Sequence, residues 1–549
     1  MKNNYFYFLL FATLFMQGQD ILWEKSYGGK NADYLFDAQP TADNGFILAG
    51  SSLSGKTGTK TAGNNGDLDY WVWKMDASGQ LDWQKSLGGS GFDLLQSIKG
   101  TQDGGFILAG TSSSNKGMDK QSDSKGLSDF WVVKLDAKGQ EQWQQTIGGS
   151  GQEDLLTVLP TRDGGYLLGG SSSSGKVVPA PSSGLGVLSS TAKVDLTAKS
   201  DASRGNMDYW IVKLDATGTV VWQKTYGGLY SDVLRSMEQT KDGGYILGGY
   251  SNSPQSGDKT EASIGIGDYW ILKTDAMGAV EWQHAYGGTG DNQLYVIHQT
   301  ADEGYIVGGN TNSPGALTTK GGSVQSGSDF WLLRLDAKGG VVWSETYNYG
   351  KVDILTSLVE NTDHSFLVGG YAQSERASTA KGVLEKEANG INDYIALKVT
   401  AQGEAVWEKI VGSGGEDILR KLISTRDGGY LLAGTSNASS SGDKSTTLGS
   451  NDFWVVKLQD QLIPLTVQAS IEAIPNPVST FTNIIIGYEY QTGTATVVDI
   501  AGRTLQQFTI SSRTVPIDMS RYPEGIYVVN IKTNVKSEGI KVIKKTKKE

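Results

Sequence analysis

The chain has no cysteine among its 549 residues. That excludes disulfide staples, thiolate nucleophiles and cysteine-bound zinc. Histidine is almost as scarce. His284, His298 and His364 are the only three, and they form no His-x-x-x-His pattern. A G-x-S-x-G elbow is also missing, so that common signature of nucleophilic hydrolysis is absent. Long apolar runs are lacking too. The longest, from Tyr5 to Met16, is too short to span a bilayer as a helix. Finally, most of the chain is short of positive charge. From Leu465 onward there are ten Lys/Arg against seven Asp/Glu, which leaves 38 against 52 in the preceding residues. A body carrying −14 repels phosphates rather than releasing their counterions, so nucleic acid is not an expected partner.

Glycine, tyrosine and tryptophan are plentiful, at 73, 24 and 14 residues. They fall in a repeated phrase. DFWVVKLDAKGQEQW (129–143) returns as DYWIVKLDATGTVVW (208–222) and DYWILKTDAMGAVEW (268–282). Its aspartate stands at Asp69, Asp129, Asp208, Asp268, Asp329, Asp393 and Asp452. A second signal, Thr-x-Asp-Gly-Gly or a variant, places its aspartate at Asp43, Asp103, Asp163, Asp242, Asp302, Asp363 and Asp427. A third landmark, a tryptophan after a turn, recurs at 23, 83, 143, 222, 282, 343 and 407. Each occurs seven times at a spacing of about 60 residues, the signature of a propeller, solenoid or array.

Every unit holds four short runs rich in β-branched and aromatic residues, separated by Asp/Gly turns. Four antiparallel strands per unit make one propeller blade. The place where the series is cut decides between architectures. The first tryptophan strand (21–27) has no DYW strand before it, and the last DFW strand (452–458) has no tryptophan strand after it. Pairing these two predicts an all-β, seven-bladed propeller over 19–459, its ring closed by strand 21–27 against 452–458 with no exposed sheet edge. The order of strands and turns resembles WD40-type propellers, although the GH and WD dipeptides of that family are missing.

Template positions account for every tryptophan but Trp73, which stands two residues beyond Trp71 on the same strand face, and this points to packing between wedge-shaped sheets rather than to a stacking platform for ligand. The sixth unit departs most: Ile395 replaces the DYW tryptophan, and Tyr347-Asn348-Tyr349-Gly350 replaces the usual YGG turn. Either drift or specialisation accounts for it.

Several candidate sites follow. An acid or amide precedes each inner strand: Asp33, Asp93, Glu153, Asp232, Asn292, Asp353 and Asp417. These residues would form a ring near the mouth of the channel, able to bind a cation or a sugar. The alternative is that each accepts hydrogen bonds from the N–H groups of its own turn. The long polar loops after the second strands should share that face, with Tyr250, Asn310 and Tyr371 where three of them begin. GNNGDLD (63–69) has a faint calcium-loop character but lacks the spacing of an EF-hand, so calcium is a secondary expectation and no other cofactor or metal is predicted. No catalytic residue can be singled out.

Past residue 459 the composition changes. A linker is expected over 460–466 and a small β-sandwich over 467–549. Its marks are Pro475-Asn476-Pro477, an Asp499-x-x-Gly502 turn, Ile517-Asp518, Gly525-Ile526-Tyr527 and a basic final strand. In order and spacing this segment resembles the C-terminal sorting domain of type IX secretion cargo in Bacteroidota. The N-terminal run reads as a signal peptide over 1–18. Together they imply export through the periplasm to the outer surface or the medium, with the type IX machinery as partner and no integral membrane domain. The expected function is a monomeric, non-catalytic binding or adhesion module for a glycan or an envelope protein. The alternative is a carbohydrate-active hydrolase or lyase using channel carboxylates.

Overall fold

The computed structural model describes residues 19–175, 195–313, 327–374, 392–460 and 470–545. The expected signal peptide and nearly all of the expected linker lie outside these residues.

Blade one shows how the sequence makes each sheet. Its strands, Asp33–Pro40, Phe46–Ser52, Asp69–Met75 and Leu81–Leu87, pair antiparallel in chain order. In the outer hairpin, Asp76 Oδ1 accepts the backbone N–H groups of Ser78 and Gln80 at 2.8 and 2.9 Å, and Gly79 takes the left-handed conformation at φ 77°. The Asp-Gly-Gly turn is held from the third strand, where Lys74 Nζ lies 2.9 Å from Asp43. This pairing recurs in all seven blades, as Lys134–Asp103, Lys213–Asp163, Lys273–Asp242, Arg334–Asp302, Lys398–Asp363 and Lys457–Asp427.

The inner strands of blades two to seven are Asp93–Gly100, Glu153–Pro160, Asp232–Gln239, Asn292–Gln299, Gly350–Glu360 and Asp417–Ser424. Each sheet packs on the next, and the seams are aromatic. Tyr70 of blade one meets Trp131 of blade two at 4.6 Å between ring centroids. The same pair recurs as Phe130–Trp210, Tyr209–Trp270, Tyr269–Trp331, Tyr394–Trp454 and Phe453–Trp71. All six of these tryptophans are fully buried, and each indole N–H finds a side-chain acceptor on the neighbouring fourth strand, such as Gln144 for Trp131. The six remaining template tryptophans from Trp83 onward lie against Phe106, Tyr166, Tyr245, Tyr305, Phe366 and Tyr430 of the next blade. At the blade-six seam Ile395 leaves Phe330 without its usual partner. Tyr349 of the altered turn takes that place, 5.5 Å away and edge-on.

The strand Asp20–Tyr27 completes the seventh sheet beside Asp452–Gln459, with Tyr27 opposite Phe453. Glu24 accepts the indole N–H of Trp454 at 2.8 Å. Blade one in turn meets blade seven, where Leu35 N donates to Thr435 Oγ1 at 2.9 Å.

The tail is a sandwich of a three-stranded sheet (Ile471–Ile474, Phe481–Ile486, Thr514–Asp518) and a four-stranded sheet (Gly493–Asp499, Thr504–Ile510, Gly525–Thr533, Ser537–Lys544). The residues singled out from the sequence hold its frame. Asn476, between Pro475 and Pro477, donates to Lys541 O at 2.7 Å and accepts from Ile543 N at 2.9 Å, which pins the last strand. Gly502 takes φ 78° in the Asp499 turn. Gly525 opens the strand in which Tyr527 is buried, with its hydroxyl on Pro523 O at 2.7 Å.

Candidate functional site

The seven residues that open the inner strands were expected either to ring the channel mouth or to accept hydrogen bonds from their own turns, and their contacts are those of the second arrangement. Asp33, Asp93, Glu153, Asp232, Asn292, Asp353 and Asp417 are 0 % exposed. Each lies on the strand face it shares with a buried leucine two residues on, not on the face toward the channel. Six of them accept a backbone N–H from the preceding turn: Gly29 to Asp33 at 2.7 Å, Gly89 to Asp93 at 2.8 Å, Gly149 to Glu153 at 2.8 Å, Gly228 to Asp232 at 2.6 Å, Tyr349 to Asp353 at 2.7 Å and Ser413 to Asp417 at 2.6 Å. Asn292 instead accepts from Thr311 and Ser313 and donates to Gly267 O at 2.9 Å. The physical reason is strand alternation: the side chain that begins the inner strand points into the blade, where turn and loop donors converge on it.

Next to each of these residues stands the aspartate of the neighbouring DYW strand. Burial pushes Asp353 and Asp417 up to about 6, helped by the charges of Asp329 and Asp393. Burial likewise brings Asp69 and Asp208 to about 6, with Asp93 and Asp232 adding to it. At one seam the pair is an amide and an acid, and Asn292 Nδ2 faces Asp268 Oδ1 at 3.4 Å.

The loop residues differ among themselves. Tyr250 is half-buried, whereas Asn310 is buried. Burial raises the Tyr371 hydroxyl, while Arg420 pulls it back. The loops are tied down by their own lysines: Lys60, Lys120 and Lys259 are buried and donate to the carbonyls of Ser54, Ser114 and Ser253 at 2.7, 2.6 and 2.7 Å. In the 63–69 segment Asn64 donates its amide to the carbonyls of Gly66 and Asp67, which closes the loop on itself.

What lines the channel is the residue three positions after each buried acid or amide: Phe36, Gln96, Leu156, Arg235, Tyr295, Thr356 and Arg420. A β-bulge places them there. In every blade the register between first and second strands slips around this residue, as between Leu35 and Asp37. Bulges bend a strand and re-aim the extra side chain. The bend brings the inner strand so close to its neighbour that the facing residue must be glycine. A Cβ on Gly50 would strike Tyr34 O, and one on Gly309 would strike Gln293 O. The position before the bulge is leucine seven times, all fully buried: Leu35, Leu95, Leu155, Leu234, Leu294, Leu355 and Leu419.

The channel encloses about 340 Å³ and draws residues from all seven blades. Its charges are sorted by level. Asp37 lies 3.1 Å from Lys99 and 3.7 Å from Lys421, and their charges hold its carboxyl below the usual range against the pull of burial. Glu238 lies 3.0 Å from His298 and keeps that imidazole above its ordinary value, although burial opposes it. Arg235 and Arg420 stand apart. Arg235 stacks on Tyr295 at 5.4 Å and Arg420 on Phe36 at 5.5 Å. Neither has an ion pair among the described residues, and the Nε–H of each is buried with no acceptor there. Comparing the seven copies with one another would have narrowed the ring to the two variable positions beside the invariant leucine, the other being the residue before it, from Tyr34 to Ile418.

The fold and its lining define a seven-bladed β-propeller with a furnished channel, joined to a small sandwich. Residues 472–545 match the family described as "Secretion system C-terminal sorting domain", and the tail is such a domain, of the type IX kind. It marks the protein for export to the outer surface or the medium. Among proteins of known identity, the regulatory protein FlaEY of Caulobacter vibrioides is 27 % identical over 395 residues, 66 % of this chain but 38 % of FlaEY, so the chain spans well under half of that relative. Among solved structures, PorZ, described as an essential bacterial surface component of the type-IX secretion system of Porphyromonas gingivalis, aligns over 96 % of this chain and 86 % of its own at 11 % identity and a TM-score of 0.24. Puromycin hydrolase aligns over 92 % and 61 % at 9 % identity and a TM-score of 0.42. Likenesses of this size carry no statement about shared chemistry. Among the described residues no helix is long and apolar enough to cross a membrane, which leaves β-barrel insertion unaddressed.

Proposed function

We propose that the sorting tail delivers the propeller beyond the outer membrane, where the propeller is a non-catalytic binding module for a glycan or an envelope protein, using the channel and the loops around its mouth. The observation that carries this reading is an irregular lining on a regular frame. Seven bulges aim seven side chains of six kinds into one channel, while the leucine before each of them and the glycine facing that leucine are held constant. A scaffold alone has no use for that variety, whereas recognition depends on it. The test has two parts. Cells producing the full chain should carry it on the surface or in the medium, and a chain ending before residue 472 should stay in the periplasm. The mature propeller should then bind members of a glycan array or an envelope extract without turning them over. Polysaccharide cleavage would replace this reading with a hydrolase, and binding to neither would reject it.

A further inference from the structure

We infer that the channel constriction is an oxyanion site in which Arg235 and Arg420 receive the carboxylate or sulfate groups of a small acidic sugar. This rests on the binding-module reading and names its ligand class. The propeller is strongly acidic overall, yet the channel gathers four basic side chains, Lys99, Arg235, Arg420 and Lys421, against the acids Asp37 and Glu238. The lysines already share Asp37, and Glu238 is engaged by His298. The two arginines are left over.

Each guanidinium is pre-positioned by an aromatic ring from the next blade, Tyr295 or Phe36, which fixes its plane and leaves the donor edge free. The Nε–H of each is buried without an acceptor, so the donors a carboxylate or sulfate oxygen can meet are the remaining N–H groups of the two guanidiniums, which line the cavity. The groups bearing on Arg235 include Asp154, which acts through its field without touching it and is held by Gln152. Those bearing on Arg420 are the neutral hydroxyls of Tyr371 and Tyr394.

Arg235 belongs to blade four and Arg420 to blade seven, so they stand on opposite sides of the ring. A ligand with two acidic groups can meet both. Gln96 and Thr157, polar but uncharged, line the same cavity and suit hydroxyl groups. At about 340 Å³ the cavity is at the small end of ligand sites, which favours a mono- or disaccharide over a polymer segment.

Calorimetric titration of the mature propeller with digalacturonic acid, galacturonic acid, a sulfated disaccharide and neutral lactose tests this. Binding of an acidic probe, weakened by salt, absent for lactose and reduced roughly ten-fold or more by Arg235→Gln and by Arg420→Gln, is the expected result. Preference among the acidic probes tells carboxylate from sulfate. Unchanged melting of both variants separates lost binding from lost folding. If the arginine variants bind acidic probes as the parent does, or lactose binds equally well, the inference is overturned. Should the propeller bind only array members outside the acidic class, the inference falls while the binding-module reading stands. Should it bind nothing on the array, in an envelope extract or in this series, both fall.

Discussion

Two neighbouring positions on the inner strands have had opposite fates. The residue two places after the buried acid is leucine in every blade; the next is Phe, Gln, Leu, Arg, Tyr, Thr and Arg in turn. They are adjacent in the chain and differ only in which side of the bulge they occupy. Leucine fills the wedge between sheets, where one shape fits. The bulged residue has no cross-strand partner and faces the channel, where no packing rule holds it. Constancy here reports a shared mould, and variety reports freedom to specialise.

The comparison can be broken most severely by removing the frame itself. Deleting residues 19–28 strips the fourth strand from blade seven and leaves Phe453 and Trp454 without their cover. The melting temperature should then fall on the order of 10 °C or the cooperative transition should be lost. Intact melting would show that the seventh sheet does not depend on this strand. Next in size is Leu294→Ala, which empties a fully buried site and should cost about 2–5 kcal/mol in chemical denaturation.

A pH series sharpens the same contrast at the seams. Asp69, Asp208, Asp329, Asp353 and Asp417 sit at about 6 in the folded state, pushed up by burial. Unfolded aspartates titrate near 4. The stability tied to these protons is complete below about pH 4 and is lost as pH rises through about 6. The turn acids run the other way: ion pairing and turn hydrogen bonds hold Asp43, Asp103 and Asp363 low, and their contribution disappears only in stronger acid. Melting temperature should therefore fall between about pH 4 and pH 6, and Asp353→Asn, which copies Asn292, should make that fall shallower. A flat or rising profile would contradict the assignment. The smallest effect belongs to the channel, where Gln96→Ala should change stability by less than about 0.5 kcal/mol while leaving the fold intact.

The repeats, the strand order and the cut between residues 27 and 452 were legible because each signal is written seven times. The bulge was not, since a slip of register lies in backbone geometry and carries no residue of its own. Its trace is the facing glycine, which reads in sequence as an ordinary strand ending. For Asp33 and its counterparts the sequence left two arrangements open, because being near the channel along the chain does not decide which way a side chain faces. At blade six the sequence showed Ile395 and the odd Tyr347–Gly350 turn as two separate departures. Only packing reveals that Tyr349 restores the ring that Ile395 removed.

The bond from Trp454 to Glu24 joins residues 430 positions apart. Contacts this distant in the chain form late, because the entropy of closing so long a loop must be overcome first. A chain emerging from its amino end therefore carries the strand Asp20–Tyr27 unmated until the last blade has followed it. That delay keeps the propeller from locking early, so the ring is sealed only once the whole of its chain is present.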